Sequence, residues 1–214
     1  FQGVEEVNAN GVPYRDQVIN GRTRGSQTPY ANWGDPGVDG KTPQTAFKIS
    51  HITQLMNIRD VDLGAHFRLT GNLDWHDLPP GQDQIFNRTF NGTLHGDGFA
   101  IRNFDVQTGY PTGLFLRLGP QAAIYNLRMV GVNIKGSKNV GALASSMEGG
   151  ILSNVQIEGI INGDQEVGGI IGKCLNTQIS RCFFEGVVTS KKNSGGTMPM
   201  GTGGIAGSAT RSNF

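Results

Sequence analysis

The chain has 214 residues, enough for one domain with a substantial core. Its 18 Lys and Arg against 17 Asp and Glu leave a net charge of +1, which argues against nucleic acid or an anionic membrane as a partner. No run of 18 apolar residues occurs, so no segment reads as a membrane-spanning helix, and the 33 glycines point to many tight turns.

Phe1-Gln2-Gly3 matches the remnant of a common protease-cleavage tag and is set aside from the fold; a secretion signal or anchor upstream stays open. Residues 4–46 form a loop-rich leader without a clear period, anchored on Tyr30, Trp33 and Phe47. Within it, Asp35-Pro36-Gly37-Val38-Asp39-Gly40 reads as an ordinary turn. A calcium loop through Asp35 and Asp39 is the alternative, although EF-hand spacing is absent.

Residues 47–98 read as a capping helix followed by lead-in strands. Ser50 is placed to cap a helix whose Ile52, Leu55, Met56 and Ile58 make an apolar stripe, suited to covering the open end of a stack. Phe67-Arg68-Leu69-Thr70 then reads as a strand. A polar excursion over 71–88 holds Asp74, Trp75, His76, Asp77 and Pro79-Pro80, with Trp75 and His76 as candidate ligand contacts.

From residue 99 to 214 the chain repeats. Ile101-Arg102-Asn103-Phe104 lies over Ile124-Tyr125-Asn126-Leu127, Leu152-Ser153-Asn154-Val155 and Ile179-Ser180-Arg181-Cys182, in steps of 23, 28 and 27 residues. A second register keeps the same beat: Gly113-Leu114-Phe115-Leu116, Gly141-Ala142-Leu143-Ala144, Gly168-Gly169-Ile170-Ile171 and Gly203-Gly204-Ile205-Ala206. Self-similarity at this period marks a stacked-repeat architecture. Each period holds only short β-branched and apolar pieces, with no stretch long enough for a helix. The fold expected is therefore all-β, a right-handed parallel β-helix of about 27 residues per coil, with equivalent residues roughly 4.8 Å apart on successive coils.

That geometry predicts columns. Ile101, Ile124, Leu152 and Ile179 form one apolar column. Asn103, Asn126 and Asn154 form a corner ladder, since Asn tolerates left-handed backbone and stacked amides hydrogen-bond along the column; Arg181 ends it or opens the corner. Cys182 occupies an apolar column position, which favours a buried thiol, with a short disulfide to Cys174 as the alternative. By its own period the chain stops in mid-coil, so further coils or domains of the same polypeptide are expected.

Three strings carry a family resemblance: Phe67 to Asp74 as F-x-L-T-x-x-L-D, Phe90 to Ile101 as F-x-G-T-L-x-G-x-G-x-x-I, and Val167-Gly168-Gly169-Ile170-Ile171-Gly172. Over about 47–207 the chain resembles bacterial surface and secreted proteins with GLUG-type repeats. These include adhesins, autotransporter-like proteins and immunoglobulin-A peptidases outside their catalytic domain. The resemblance implies a β-helix outside the cytoplasm, at the cell surface or secreted, acting as a stalk or binding region. The zinc-peptidase motif H-E-x-x-H is absent, so no peptidase activity carries over.

The extra residues before the last coil (a step of 35) include Lys191, Lys192, Asn193 and Met198. Insertions of this kind map to loops on one face, often the binding face, so they are candidate contacts; a plain surface loop is the alternative. Glu158 and Glu185 lie one period apart, so their carboxylates stack about 5 Å apart, near the separation of a retaining glycosidase pair. The expected function is a non-enzymatic extracellular module of a larger surface protein, with no cofactor, binding a host or neighbour-cell glycan or protein. The alternative is a carbohydrate-active enzyme of the same fold, a polysaccharide lyase, glycoside hydrolase or phage-tail depolymerase, working through Glu158 and Glu185 or the His76 and Asp77 region.

Overall fold

The computed structural model describes residues 18–19, 22–23, 30–32, 34–58, 63–78, 86–191 and 201–214. Trp33, Pro79, Pro80, Lys192, Asn193 and Met198 lie outside the described residues. Ahead of the solenoid, β1 (Val18–Ile19) pairs antiparallel with β2 (Arg22–Thr23). The lead-in consists of β3 (Phe47–Ile49), helix α1 (Ile52–Asn57), β4 (His66–Leu69) and β5 (Leu73–Asp74).

The coils follow. The first holds β6 (Phe86–Phe90), β7 (Thr93–His95), β8 (Ala100–Arg102) and β9 (Asp105–Gln107). The second holds β10 (Phe115–Leu118), β11 (Ala123–Tyr125), β12 (Arg128–Lys135) and β13 (Lys138–Val140). The third holds β14 (Ala144–Glu148), β15 (Ile151–Ser153), β16 (Gln156–Gly163) and β17 (Gln165–Gly168). The fourth holds β18 (Ile171–Leu175), β19 (Gln178–Ser180), β20 (Phe183–Ser190) and β21 (Thr202–Gly203), and β22 (Ala206–Thr210) continues beyond it.

Like strands stack on like. Sheet I runs β6-β10-β14-β18-β22, sheet II runs β3-β4-β7-β11-β15-β19, and sheet III runs β5-β8-β12-β16-β20, with β9 also on β12. A short fourth ladder, β13-β17-β21, closes each circuit. Every pairing in these ladders is parallel. The chain is thus a parallel β-helix whose lumen is one continuous apolar cluster.

The columns are real, with one phase error in the first coil. Ile124, Leu152 and Ile179 are register partners in sheet II, and the residue above Ile124 is Leu94, preceded by Phe67 and Phe47. Ile101 instead sits in sheet III, paired with Leu73 and Met129. The string apolar-x-Asn-apolar marks a left-handed bend, and the first coil carries such a bend at a second place. Its corner between sheets II and III is made by Gly96, Asp97 and Gly98, while Asn103 (φ 57°) bends the chain between β8 and β9, opposite Gly131 (φ 70°).

Asn103 accordingly leaves the predicted ladder; its amide donates to both carboxylate oxygens of Asp74, at 2.8 and 3.0 Å. The remaining ladder has one rung, Asn154 Nδ2 donating to Asn126 Oδ1 at 2.8 Å, with both residues left-handed. Arg181 keeps the same corner at φ 53° without an amide to offer. A left-handed non-Gly residue costs about 1–2 kcal/mol, and Asn is the least strained of those with a side chain. Arg181→Asn is therefore expected to raise stability by about 1 kcal/mol by easing the corner and adding a second rung. A thermal melt that does not move upward would refute the ladder as a stabilising device.

The helix forms as predicted in place, but its cap differs. The N-cap position is His51, and Gln54 Oε1 accepts the backbone N–H groups of Ser50 (2.8 Å) and His51 (3.3 Å). The Ser50 hydroxyl also donates to Gln54 Oε1 (3.2 Å), and Ser50 is not the N-cap because it still belongs to the extended run after β3. Ile52, Leu55, Met56 and Ile58 are buried in the common cluster. Tyr30 is buried as well, stacked on Phe47 at 4.7 Å and close to Phe67 at 5.4 Å, which ties the leader to the first strands of sheet II.

Both cysteines are free, which corrects the disulfide alternative. Cys174 points into the lumen from β18, while Cys182 follows the Arg181 corner, its Sγ donating to Ser180 O at 3.3 Å. Burial pushes both thiols up from their ordinary pKa.

Candidate functional site

In sheet III, side chains alternate inward and outward. Met129, Ile157 and Ile161 turn into the lumen. Outward, the register makes three neighbouring columns over coils two to four. Arg128, Gln156 and Phe183 form the first; Val130, Glu158 and Glu185 the second; Asn133, Ile160 and Val187 the third. Val130 is opposite Glu158 only loosely, because β12 has an extra residue in the bulge between Met129 and Val132. Arg128, Val130, Gln156, Glu158, Phe183 and Glu185 line a shallow groove of about 100 Å³.

This face is unusual in what it leaves in water. Phe183 is 58% exposed, Val187 55% and Ile160 48%; they are three of the five large hydrophobic residues exposed among those described. Between them Glu158 and Glu185 are direct register partners on exposed strand faces. Next to the pair, Gly159 and Gly186 let the coils approach closely: a Cβ on Gly186 would strike the Gly159 carbonyl. Among the described residues no salt bridge reaches either glutamate. Sequence reasoning found the glutamate pair and missed its apolar frame. The signal was present, since placing Phe184 inward forces Phe183, Glu185 and Val187 outward.

The other predicted contacts divide. Trp75 is buried and packs edge-on against Phe104 at 4.6 Å, so its indole belongs to the core and offers a ligand nothing. It opens a 3-10 turn, Trp75–Asp77, which Asp74 caps by accepting the His76 N–H at 3.0 Å. His76 is exposed, with Nδ1 3.9 Å from Asp74 Oδ1. The Asn103 amide, more than any other group, holds the Asp74 carboxyl below its ordinary pKa. His95 stacks on Tyr125 at 5.0 Å and burial lowers its pKa, while Asp97 forms a two-point pair with Arg68 at 2.8 and 3.3 Å. Lys191 follows the end of β20 and is exposed, its N–H donating to Gly163 O at 3.0 Å.

Asp39 is fully engaged by its own turn. Its Oδ1 accepts the Lys41 N–H at 3.0 Å and the Thr45 hydroxyl at 2.7 Å, and Lys41 Nζ lies 3.3 Å from Oδ2. The Lys41 N–H foremost, with Thr45, holds this carboxyl at about 2. Asp35 contributes its backbone carbonyl to the Val38 N–H, so the loop is closed by its own donors. Among the described residues no three His, Cys, Asp or Glu side chains come together as metal ligands would.

The fold defines the class, a parallel β-solenoid with an apolar lumen. Residues 43–159 match the N-terminal region of M26 IgA1-specific metallo-endopeptidases, over half of the chain, and the chain belongs to that family. It is 27% identical over 177 residues to an immunoglobulin A1 protease of Streptococcus sanguinis, covering 79% of the chain and 9% of that protein. Similarity extends to the zinc metalloprotease ZmpC of Streptococcus pneumoniae, 27% over 212 residues, with 91% and 10% covered. It also reaches the halomucin of Haloquadratum walsbyi, 28% over 174 residues, with 76% and 2% covered. The chain thus spans a tenth or less of these relatives. Among solved structures, a putative immunoglobulin A1 protease of Bacteroides ovatus shares the fold, with a TM-score of 0.54 at 19% identity over 80% of this chain and 64% of that one.

Proposed function

We propose that this chain is a non-catalytic β-solenoid module of a larger bacterial protein, built from GLUG-type coils and working outside the cell or at its surface as an adhesive or spacer region. Its task is to hold a rigid outer face toward a host or neighbour-cell glycan or protein. The observation that carries this reading is the outer face of sheet III, where Ile160 stays in water on β16, a strand paired along both edges, and Phe183 and Val187 do so beside it on β20, the end strand of the sheet. Apolar residues exposed side by side in this way favour a surface that a partner covers. The insertion containing Lys191 and the exposed His76 are further contact candidates by the same logic of position.

The enzymatic alternative draws on the in-register pairing of Glu158 with Glu185. Against it stands their setting: both are exposed on an open sheet, without the enclosed, water-poor surroundings that tune a carboxyl for general-acid work. An assay of reducing-sugar release and unsaturated products across bacterial and host polysaccharides is expected to show no turnover. Turnover that Glu185→Gln abolishes would replace this reading with a glycosidase or lyase.

A further inference from the structure

We propose that the outer face of sheet III docks an extended, cationic peptide segment of a partner protein, its Lys or Arg side chain seated between Glu158 and Glu185 and its apolar side chains on Phe183 and Val187. This rests on the reading that the face binds and does not catalyse, and it names the chemistry of the partner. Like charges directly opposite on neighbouring strands destabilise a sheet. Here two glutamates hold that arrangement in register, with no described cation paired to either. A cation from outside converts the repulsion into two charge-assisted contacts.

The surroundings specify more than charge. Along β20 the outward residues read Phe183, Glu185, Val187, and along β16 they read Gln156, Glu158, Ile160. An apolar residue therefore flanks the acid on one side in each strand, and on both sides in β20. A segment of the form apolar-x-Lys-x-apolar matches this row at the two-residue spacing of an extended chain. Arg128 stands at the far end of the groove and repels a cation from that end, which directs the partner's charge to the glutamates. The groove of about 100 Å³ beside the two glutamates has room for one such side chain.

The test uses the isotope-labelled chain and three probes: acetyl-Leu-Ser-Lys-Ser-Leu-amide, the same peptide with Glu in place of Lys, and cellohexaose. Titration with the Lys peptide is expected to move amide resonances of β16 and β20 selectively. Its affinity should fall about tenfold in a Glu158→Gln/Glu185→Gln double variant, and by a similar factor on raising salt from 50 to 500 mM, because both changes weaken the same attraction between charges. Phe183→Ser should weaken it separately, with melting curves showing that each variant remains folded. Equal binding of the Glu peptide, an unchanged double variant, or no shifts at millimolar Lys peptide would each overturn the inference. Cellohexaose shifting the same resonances while the Lys peptide does not would also overturn it, yet would leave the face as a binding surface.

Discussion

Replacing Phe115 with alanine is expected to remove about 3–5 kcal/mol of folding stability, the range for truncating a fully buried aromatic ring. Phe115 is completely enclosed and stacks on two rings of the coil before it, Phe86 at 4.9 Å and Phe90 at 5.0 Å. It sits where β10 changes register against β6, so that one ring covers two partners across an irregular step. Each aromatic pair adds about 0.5–1.5 kcal/mol beyond the area buried. Native domains hold only about 5–15 kcal/mol in total, so this single change takes a large share. Urea unfolding measures it, with Phe183→Ala as the comparison. Phe183 is exposed and its truncation should stay within about 0.5 kcal/mol. Similar midpoints for the two variants would mean that the lumen is not the stabilising core.

Gly172→Ala is the second large effect, with an expected loss of at least about 3 kcal/mol, the upper end for overpacking. A Cβ on Gly172 would lie 2.6 Å from both Ser145 O and Val140 N and would press on the Asn139 carbonyl carbon. All three are main-chain atoms, so no rotamer change makes room. The next coil repeats the constraint at Gly207, whose Cβ would meet the main chain of Glu166 and Val167. These glycines let the short ladder of β13 and β17 lie directly on sheet I and close the circuit. Hydrogen exchange should show the Val140 and Val167 amides losing protection first, because coupling between coils is mostly to nearest neighbours. Gly204→Ala is the control, since nothing lies within 4 Å of its Cβ. If both variants melt alike, close packing of this ladder is not what holds the circuit shut.

The local reasons for these effects were unequally visible in the sequence. Gly172 belongs to the repeated Val-Gly-Gly-Ile-Ile-Gly string, so its importance could be read from the period. Glu166 could not. It is a buried acid in a left-handed corner (φ 50°), with Lys173 3.6 Å from one oxygen and the other oxygen enclosed. In the sequence it looks like an ordinary turn residue before Val167. Trp75 likewise stands in a polar run, and only its packing on Phe104 shows that it belongs inside.

By itself, the sequence determined the architecture, the coil length, the Asn126–Asn154 rung and the pairing of Glu158 with Glu185. It could do so because a parallel in-register ladder lays each residue on its equivalent one period away, so wherever the period is constant a column can be read as a string. Tertiary structure alone decided the phase of the first coil, the partner of Asn103 and the exposed apolar frame around the glutamates. Where Gly96, Asp97 and Gly98 lengthen a corner, the apolar-x-Asn-apolar string falls on a different bend, at Asn103, and only hydrogen bonds between coils, such as the Gly98 N–H to Asn126 O, show which bend stacks on Asn126.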